Sequence, residues 1–254
     1  MTGGSGNLAR MKVDSVTTPR GDCGSCPHRV DRLTQGRCRP GDTCVQVMSG
    51  RQIARFFNQN PDLAEQYAGD EFWERRAIAA RYLSQQRLLQ MLDDPDEVVR
   101  RVLAYRLPEG ELDALVKDSD REVRITVADR LPANKLEVLA TDEDYLVRQY
   151  VAKRLPAGRL FRMIPDSERE VRKVVAQRLP PESLGLMVYD ADPEVRLVVA
   201  RRIDPSELRP LLQDDDWRVR FAACEQANID DLAPLLDDED EDVRALARER
   251  LPAG

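Results

Sequence analysis

Four of the five cysteines in this 254-residue chain fall within the stretch CGSCPHRVDRLTQGRCRPGDTC, which runs from Cys23 to Cys44. The spacing is Cys23-x2-Cys26-x11-Cys38-x5-Cys44, and Cys224 stands apart from it. A C-x-x-C pair serves zinc sites, redox dithiols and iron–sulfur sites alike, and alone decides little. Four thiols with Gly24, Pro27, Gly36, Pro40 and Gly41 between them read as a loop that wraps a common centre. A zinc ribbon presents two tight knuckles, whereas CRPGDTC reads as too open for a second one. A looser loop suits a larger inorganic core, and four thiolates are the ligand set of a 4Fe–4S cluster. Structural zinc and a disulfide or thiol switch remain as alternatives. The sole histidine, His28, follows the first pair; it reads as a neighbour of the site or a solvent residue, or as a substitute ligand in a zinc site.

Composition narrows the setting. One third of the residues are charged and only 5% are aromatic, which favours helices rich in Leu, Val, Ala and Arg. Five cysteines in a chain of this length are too few for a secreted disulfide scaffold. The opening MTGGSGNLARMKVDS is polar and lacks the apolar core of a signal peptide. No apolar run of 18 residues offers a membrane span. These features predict a cytoplasmic protein, where reduced thiols bind metal or do redox chemistry. Residues 1–50 carry seven Lys/Arg against four Asp, so of the 39 basic and 46 acidic residues the remainder holds 32 and 42. Phosphate binding needs a positive surface, so nucleic acid is a poor partner for that acidic remainder.

That remainder repeats every 24 residues. DSDREVRITVADRLPANKLEVLAT from Asp118, DEDYLVRQYVAKRLPAGRLFRMIP from Asp142 and DSEREVRKVVAQRLPPESLGLMVY from Asp166 follow without insertion. Asp94, Asp190, Asp214 and Asp238 keep the step, and a divergent repeat begins at Asp70. Such regularity is the mark of a solenoid. Positions 4–14 predict a helix, with Asp or Glu at position 3 as its cap and Pro193 in a first turn. Apolar positions 6, 10 and 14 form one stripe, and proline at position 15 (Pro108, Pro132, Pro156, Pro180, Pro252) ends it. The nine residues left, apolar at positions 19, 22 and 23, fit a turn or 3₁₀ segment better than a second α-helix. Position 11 is Ala from Ala80 to Ala200, then Cys224, which therefore reads as a small buried residue rather than a ligand. Arg248 in that slot of the last repeat marks an end.

Two sets of arginines recur. Position 7 (Arg100, Arg124, Arg148, Arg172, Arg196, Arg220, Arg244) and position 13 (Arg106, Arg130, Arg154, Arg178, Arg202) flank the apolar stripe. Their repetition predicts a structural task, forks reaching carboxylates or carbonyls of adjacent repeats, with Asp at positions 1 and 3 as partners. A binding site should lie where repeats differ, at Tyr105, Phe161, Trp217 or Phe221. Six of the 13 aromatic residues fall within 56–82, a concentration expected of a cover for the first repeat.

Taken together, Cys23–Cys44 and the DxDxxVRxxVAxRLP repeats from about 70 to the end resemble the leucine-rich repeat variant proteins with an N-terminal iron–sulfur domain. The resemblance implies an all-α fold: a right-handed superhelical solenoid of 24-residue repeats alternating α- and 3₁₀-helices, with a small N-terminal cysteine domain. It implies a 4Fe–4S cluster on Cys23, Cys26, Cys38 and Cys44. The domains expected are 1–50 for the cluster, 51–69 as capping helices and 70–254 for the solenoid. Repeat 70–93 departs from the pattern in lacking the Asp pair and the proline. HEAT-type repeats also resemble the helix but need more residues per repeat. The chain offers no Ser/His/Asp set, no phosphate loop and no C-x3-C-x2-C spacing, so an enzyme is not expected. The expected function is a scaffold or regulator that binds a protein partner, with a cluster that is structural or senses iron, oxygen or redox state. The alternative is an electron-transfer protein passing electrons between the cluster and a docked partner.

Overall fold

Position 15, proline at Pro108, Pro132, Pro156 and Pro180, splits the repeat, and the computed structural model, which describes residues 18–251, has a helix on either side of the break. The residues form two compact bodies, one ending at Arg106 and one beginning at Leu107. The first holds α1 (Gly50–Gln59), a 3₁₀ segment at Pro61–Tyr67, α2 (Trp73–Ala79), α3 (Gln85–Leu89) and α4 (Glu97–Arg106). The second holds α5 (Arg121–Arg130), α6 (Tyr145–Arg154), α7 (Arg169–Arg178), α8 (Pro193–Ala200), α9 (Trp217–Gln226) and α10 (Glu241–Arg250), with 3₁₀ turns before each. Among the described residues there is no strand, only an isolated bridge between Arg39 and Thr43. None of their helices is long and apolar enough to cross a membrane. The N-terminal stretch read for a leader, and Pro252, lie outside the described residues.

Each repeat folds by the same local rules. Asp120 caps α5 by accepting from the Glu122 and Val123 amides at 2.9 and 3.1 Å, and Asp96, Asp144, Asp192, Asp216 and Asp240 do the same for their helices. Glu168 makes no such bond; its extra methylene carries the carboxylate past the amides that Asp reaches. The helix ends one residue before the expected position 14, because that residue is already extended ahead of proline, as at Leu131 with ψ 140°. The proline carbonyl then starts the 3₁₀ turn, as in Arg159 N–H to Pro156 O at 2.8 Å and Ser183 N–H to Pro180 O at 2.9 Å. Asp204, standing at position 15, opens its turn by accepting from the Ser206 amide, with the proline one residue later at Pro205. In the repeat from Asp70 the second element closes instead as the short α3, capped by Ser84.

The apolar positions converge. From α5 to α10 the side chains at positions 6 and 10 are buried, Val123 and Val127 in the first and Val243 and Ala247 in the last. At position 19, within or directly after the 3₁₀ segments, Leu112, Leu136, Leu160, Leu184, Leu208 and Leu232 are buried with them. Ala128, Ala152, Ala176 and Ala200 at position 11 have no exposed surface, and neither has Cys224. Arg248 in the same slot of α10 is exposed.

The arginine at position 7 is the joint between repeats. Arg124 donates through Nε and Nη2 to both carboxylate oxygens of Asp142, the first residue of the next repeat, at 2.8 and 3.0 Å. Its Nη1 donates to the carbonyls of Asp118 and Ser119 at the start of its own repeat. The same fork recurs at Arg148–Asp166, Arg172–Asp190, Arg196–Asp214 and Arg220–Asp238. It is present in the divergent repeat as well: Arg76 bridges the Asp70 carbonyl and both oxygens of Asp94. The Asp at position 1 also accepts from the amide two residues on, as Asp142 does from Asp144 at 2.9 Å. Position 3 was expected to share in the fork and does not; its carboxylate is taken by the helix cap.

Arginine at position 13 serves the opposite end of the helix. Arg154 donates to the carbonyls of Ala128 and Leu131 at 2.7 and 3.0 Å, and Arg178 to those of Ala152 and Leu155. These acceptors are orphaned because the chain turns out of the helix before proline, and a cation there also suits the helix dipole. Gln226 fills the slot in α9 and reaches Ala200 O at 3.4 Å.

Breaking a buried, bidentate pair leaves a carboxylate without its counter-ion, at a cost of about 3 kcal/mol or more. Arg148→Ala should therefore lower the urea midpoint substantially, since the Arg148 and Asp166 side chains are 11% and 6% exposed. Among the described residues Arg244 is in no ion pair and holds only the Asp238 carbonyl, so in this chain Arg244→Ala should cost about 1 kcal/mol or less. Wild-type stability in Arg148→Ala, with loss of a partner, would make the ladder a binding stripe instead. The last joint also titrates. Burial alone would raise the Asp238 carboxyl, but the Arg220 fork and the Asp240 amide outweigh it and hold it below the usual value. A depressed carboxylate contributes stability above its unfolded pKa of about 4 that is lost as pH falls through the folded value. The stability gap between wild type and Asp238→Asn should thus be full at neutral pH and narrow below about pH 4 in urea titrations; a gap independent of pH would contradict the assignment.

Candidate metal centre

The two half-sites of the cysteine stretch are built by different local devices. Asp22 organises the first: Oδ1 accepts from the Gly24 amide at 2.7 Å and Oδ2 from the Ser25 hydroxyl at 2.9 Å, folding the x-x between Cys23 and Cys26. These bonds, the Gly24 amide first, hold its carboxyl below the usual range. After Cys26 the chain enters a wide π-helical turn, Arg29–Leu33, and leaves it through Gly36 at φ +71°. The second half-site is not the open loop that its sequence suggests. Arg39 and Thr43 exchange backbone hydrogen bonds at 2.8 and 2.9 Å, and the Asp42 amide donates to Arg39 O. Pro40 and Gly41, the latter at φ +81°, fill the central positions of that turn. Cys38 and Cys44 are the residues immediately outside this hairpin.

Helix α1 anchors both. Asn60, fully buried at its end, donates to the carbonyls of Arg37 and Phe56 at 2.8 and 2.9 Å. Gln52, also buried, donates to Pro19 O, and its carbonyl accepts from the Cys44 amide. His28 is buried rather than solvent-facing, with Nε2 2.7 Å from the Tyr67 hydroxyl and its ring against Phe56. Burial lowers its pKa, which favours the neutral ring. Phe56, Phe57 and Tyr67 meet edge to face at 5.5 and 5.4 Å and form the floor on which the cysteine stretch sits. Trp73 and Tyr82, counted with them in the sequence, are more than one third exposed. Gln52, Phe56 and Asn60 follow at i, i+4, i+8, so two polar residues on the apolar stripe of α1 were the available signal for this anchoring.

All four cysteines of the stretch line one small cavity of about 10 Å³, with Gly21, Pro40, Val45 and Phe56 among its walls. Cys44 is buried, and Cys23, Cys26 and Cys38 are half-buried. None of the five cysteines is in a disulfide. A Cβ placed on Gly21 would stand 2.8 Å from Cys44 Sγ, so the wall is moulded to the thiol. Burial pushes the Cys38 thiol up to about 11, with the charges of Cys26, Cys23 and Cys44 adding to it, and raises Cys26 in the same way. Tyr67 is pushed up to about 12, by burial first and Cys26 second. Four thiols on one cavity, two of them held protonated by burial, are a donor set whose ionised form a cation or cationic cluster would stabilise, and the residues present fit such a group. Among the described residues no three His, Cys, Asp or Glu side chains already converge at ligating distance on one point. Cys224 lies buried in α9, its carbonyl accepting from Arg250, in the structural slot that its repeat position predicts.

Comparison with known proteins agrees with this layout. A family model described as the FeS4 cluster of LRV proteins matches residues 20–66, and the leucine-rich repeat variant model matches residues 73–96 and 169–192. A solved structure titled a leucine-rich repeat variant with a novel repetitive protein structural motif is 57% identical, with a TM-score of 0.87 over 92% of this chain and all of that one. A curated Rhodobacter capsulatus protein, named as an uncharacterized 27.7 kDa protein in the nifB 3' region, is 39% identical over 87 residues. That match spans about a third of either chain. With four thiols around one cavity, repeats joined by the same fork within each body, and a relative of this identity over 92% of the chain, the chain belongs to the leucine-rich repeat variant family.

Proposed function

We propose that the protein is a non-enzymatic interaction scaffold whose repeats bind a protein partner, and that Cys23, Cys26, Cys38 and Cys44 hold a 4Fe–4S cluster with a structural or sensing role. The observation that carries the reading is the convergence of these four thiols on one cavity, apart from a repeat array whose recurring polar side chains are committed to caps and forks. When bound, such a cluster supplies a rigid inorganic core and one-electron redox chemistry. The chain's own residues shape the pocket: Asp22 folds the first pair, the Pro40–Gly41 turn brings up the second, and Gln52 and Asn60 fix both to α1. Reduced thiols are maintained in the cytoplasm, the compartment this reading assigns. A second reading has its own support. Cys38 is half-buried between Arg37 and Arg39, both exposed, which would present a positive rim to a docked electron-transfer partner.

Anaerobically purified protein should be brown, with a broad band near ~400 nm and about four irons per chain. Cys38→Ala should lose or degrade the cluster, and Cys224→Ala should leave the metal content unchanged. Colourless protein with stoichiometric zinc would assign the site to structural zinc.

Small metal domains take folding energy from ligation, so removing the cluster should loosen the segment that it covers. Hydrogen exchange on holo and cluster-free protein should show protection lost within 45–93 and retained within 142–230. An unchanged pattern in 45–93 would favour the electron-carrier reading.

A further inference from the structure

The core of each repeat uses positions 6, 10, 11 and 14, and position 8 lies outside that set. Position 8 is Ile125 on α5 and polar on α6 and α7, Gln149 and Lys173, whereas α8 and α9 carry apolar residues there in succession, Leu197 and Phe221. Trp217 at position 4 of α9 stands where α5 and α7 carry Arg121 and Arg169 and α6 carries Tyr145, and from α5 to α10 only at α9 does that aromatic lie beside an apolar position 8. On α10, position 8 shrinks to Ala245. The result is an open groove of about 560 Å³ across α8, α9 and α10, floored by Leu197, Trp217, Phe221 and Leu246. Trp217 is 44% exposed, so folding the repeat does not account for it.

The rim is charged and unbalanced. Arg218 is already engaged, with Nη1 2.8 Å from Glu194 and Nη2 2.7 Å from Asp216. Glu225, Asp242 and Glu249 line the groove with no ion pair among the described residues, against one free cation, Arg201. An apolar floor beneath an acidic rim repels phosphates and anionic lipid and complements a basic, apolar polypeptide.

We infer that this groove is the partner-binding surface, and that it takes a segment of another protein carrying a large apolar side chain with Lys or Arg beside it. The apolar side chain seats on Trp217 and Phe221, a buried aromatic anchor of the kind that dominates interface energetics. The basic residues meet Glu225 and Glu249. The inference rests on the scaffold reading and gives it a site.

Random dodecapeptides displayed on phage, selected against the cluster-loaded full chain, test it. Enriched peptides should pair an aromatic or branched aliphatic residue with Lys or Arg. Their affinity should fall by about tenfold or more on Trp217→Ser/Phe221→Ser. Glu225→Lys/Glu249→Lys, changes confined to exposed side chains, should lose the same peptides and favour acidic ones; this pair serves if the aromatic double variant does not fold. No enrichment, or equal binding to the variants, would overturn the assignment. Sedimentation showing a dimer that Phe221→Ser converts to monomer would give the groove to a second copy of this chain and overturn it too. A native partner retained equally by wild type and Phe221→Ser would refute the groove while leaving the scaffold reading in place.

Discussion

The bidentate bond from arginine at position 7 to the aspartate that opens the next repeat is the constraint on which the array depends. One guanidinium ties three groups together: the carbonyls that start its own repeat, the carboxylate 18 residues on, and, through that carboxylate, the turn that starts the next helix. A buried ion pair often fails to repay its desolvation. Here the remaining hydrogen-bonding capacity of both ions is used by backbone groups that would otherwise be orphaned at a helix start, which is the condition under which such pairs hold. The joint also explains the constant step of 24. An inserted residue would move the aspartate away from the fork and strand a buried cation, whereas apolar packing alone would tolerate slippage.

The N-terminal stretch solves a different problem with similar means. It has few apolar residues of its own, so its loops are tied by hydrogen bonds to α1 and by His28 to Tyr67. These bonds bury polar groups on an aromatic floor, where each is worth more than in water and costs more if broken. The four thiols are then brought to one cavity, an arrangement that makes sense when a metal group completes it.

Much of this was legible in the sequence because it repeats. The apolar stripe, the Asp cap, the 3₁₀ spacing and the structural arginines each recur several times, and recurrence separates a rule from an accident. Even the divergent repeat obeys it: Arg76 and Asp94 keep the fork although position 3 is Phe72 and no proline follows. What does not repeat was harder to see. Gln52, Asn60 and the His28–Tyr67 pair act across 23 to 39 residues of chain, beyond the reach of any periodic pattern. The hairpin at Pro40–Gly41 is legible in its turn residues, whereas the five residues between Cys38 and Cys44, taken as spacing alone, suggest an open loop. The cap expected of Glu168 failed on side-chain length, and the carboxylates at position 3 could not serve both cap and fork.

The same logic bears on where function can reside. A side chain that recurs in every repeat is explained by the repeat, and the forks and caps leave the recurring charges little freedom to recognise anything else. Selectivity then falls to positions outside the core stripe, where one helix differs from the next. Some of these differences exchange one polar residue for another, as Gln149 and Lys173 do at position 8, and others leave single exposed aromatics such as Tyr105 and Tyr145. At α8 and α9 they replace polar side chains with Leu197, Phe221 and Trp217, which cost solubility and add nothing to the core. An apolar surface of this kind, held on helices made rigid by the forks on either side, needs no reorganisation before it binds, so little of the interaction is lost to ordering.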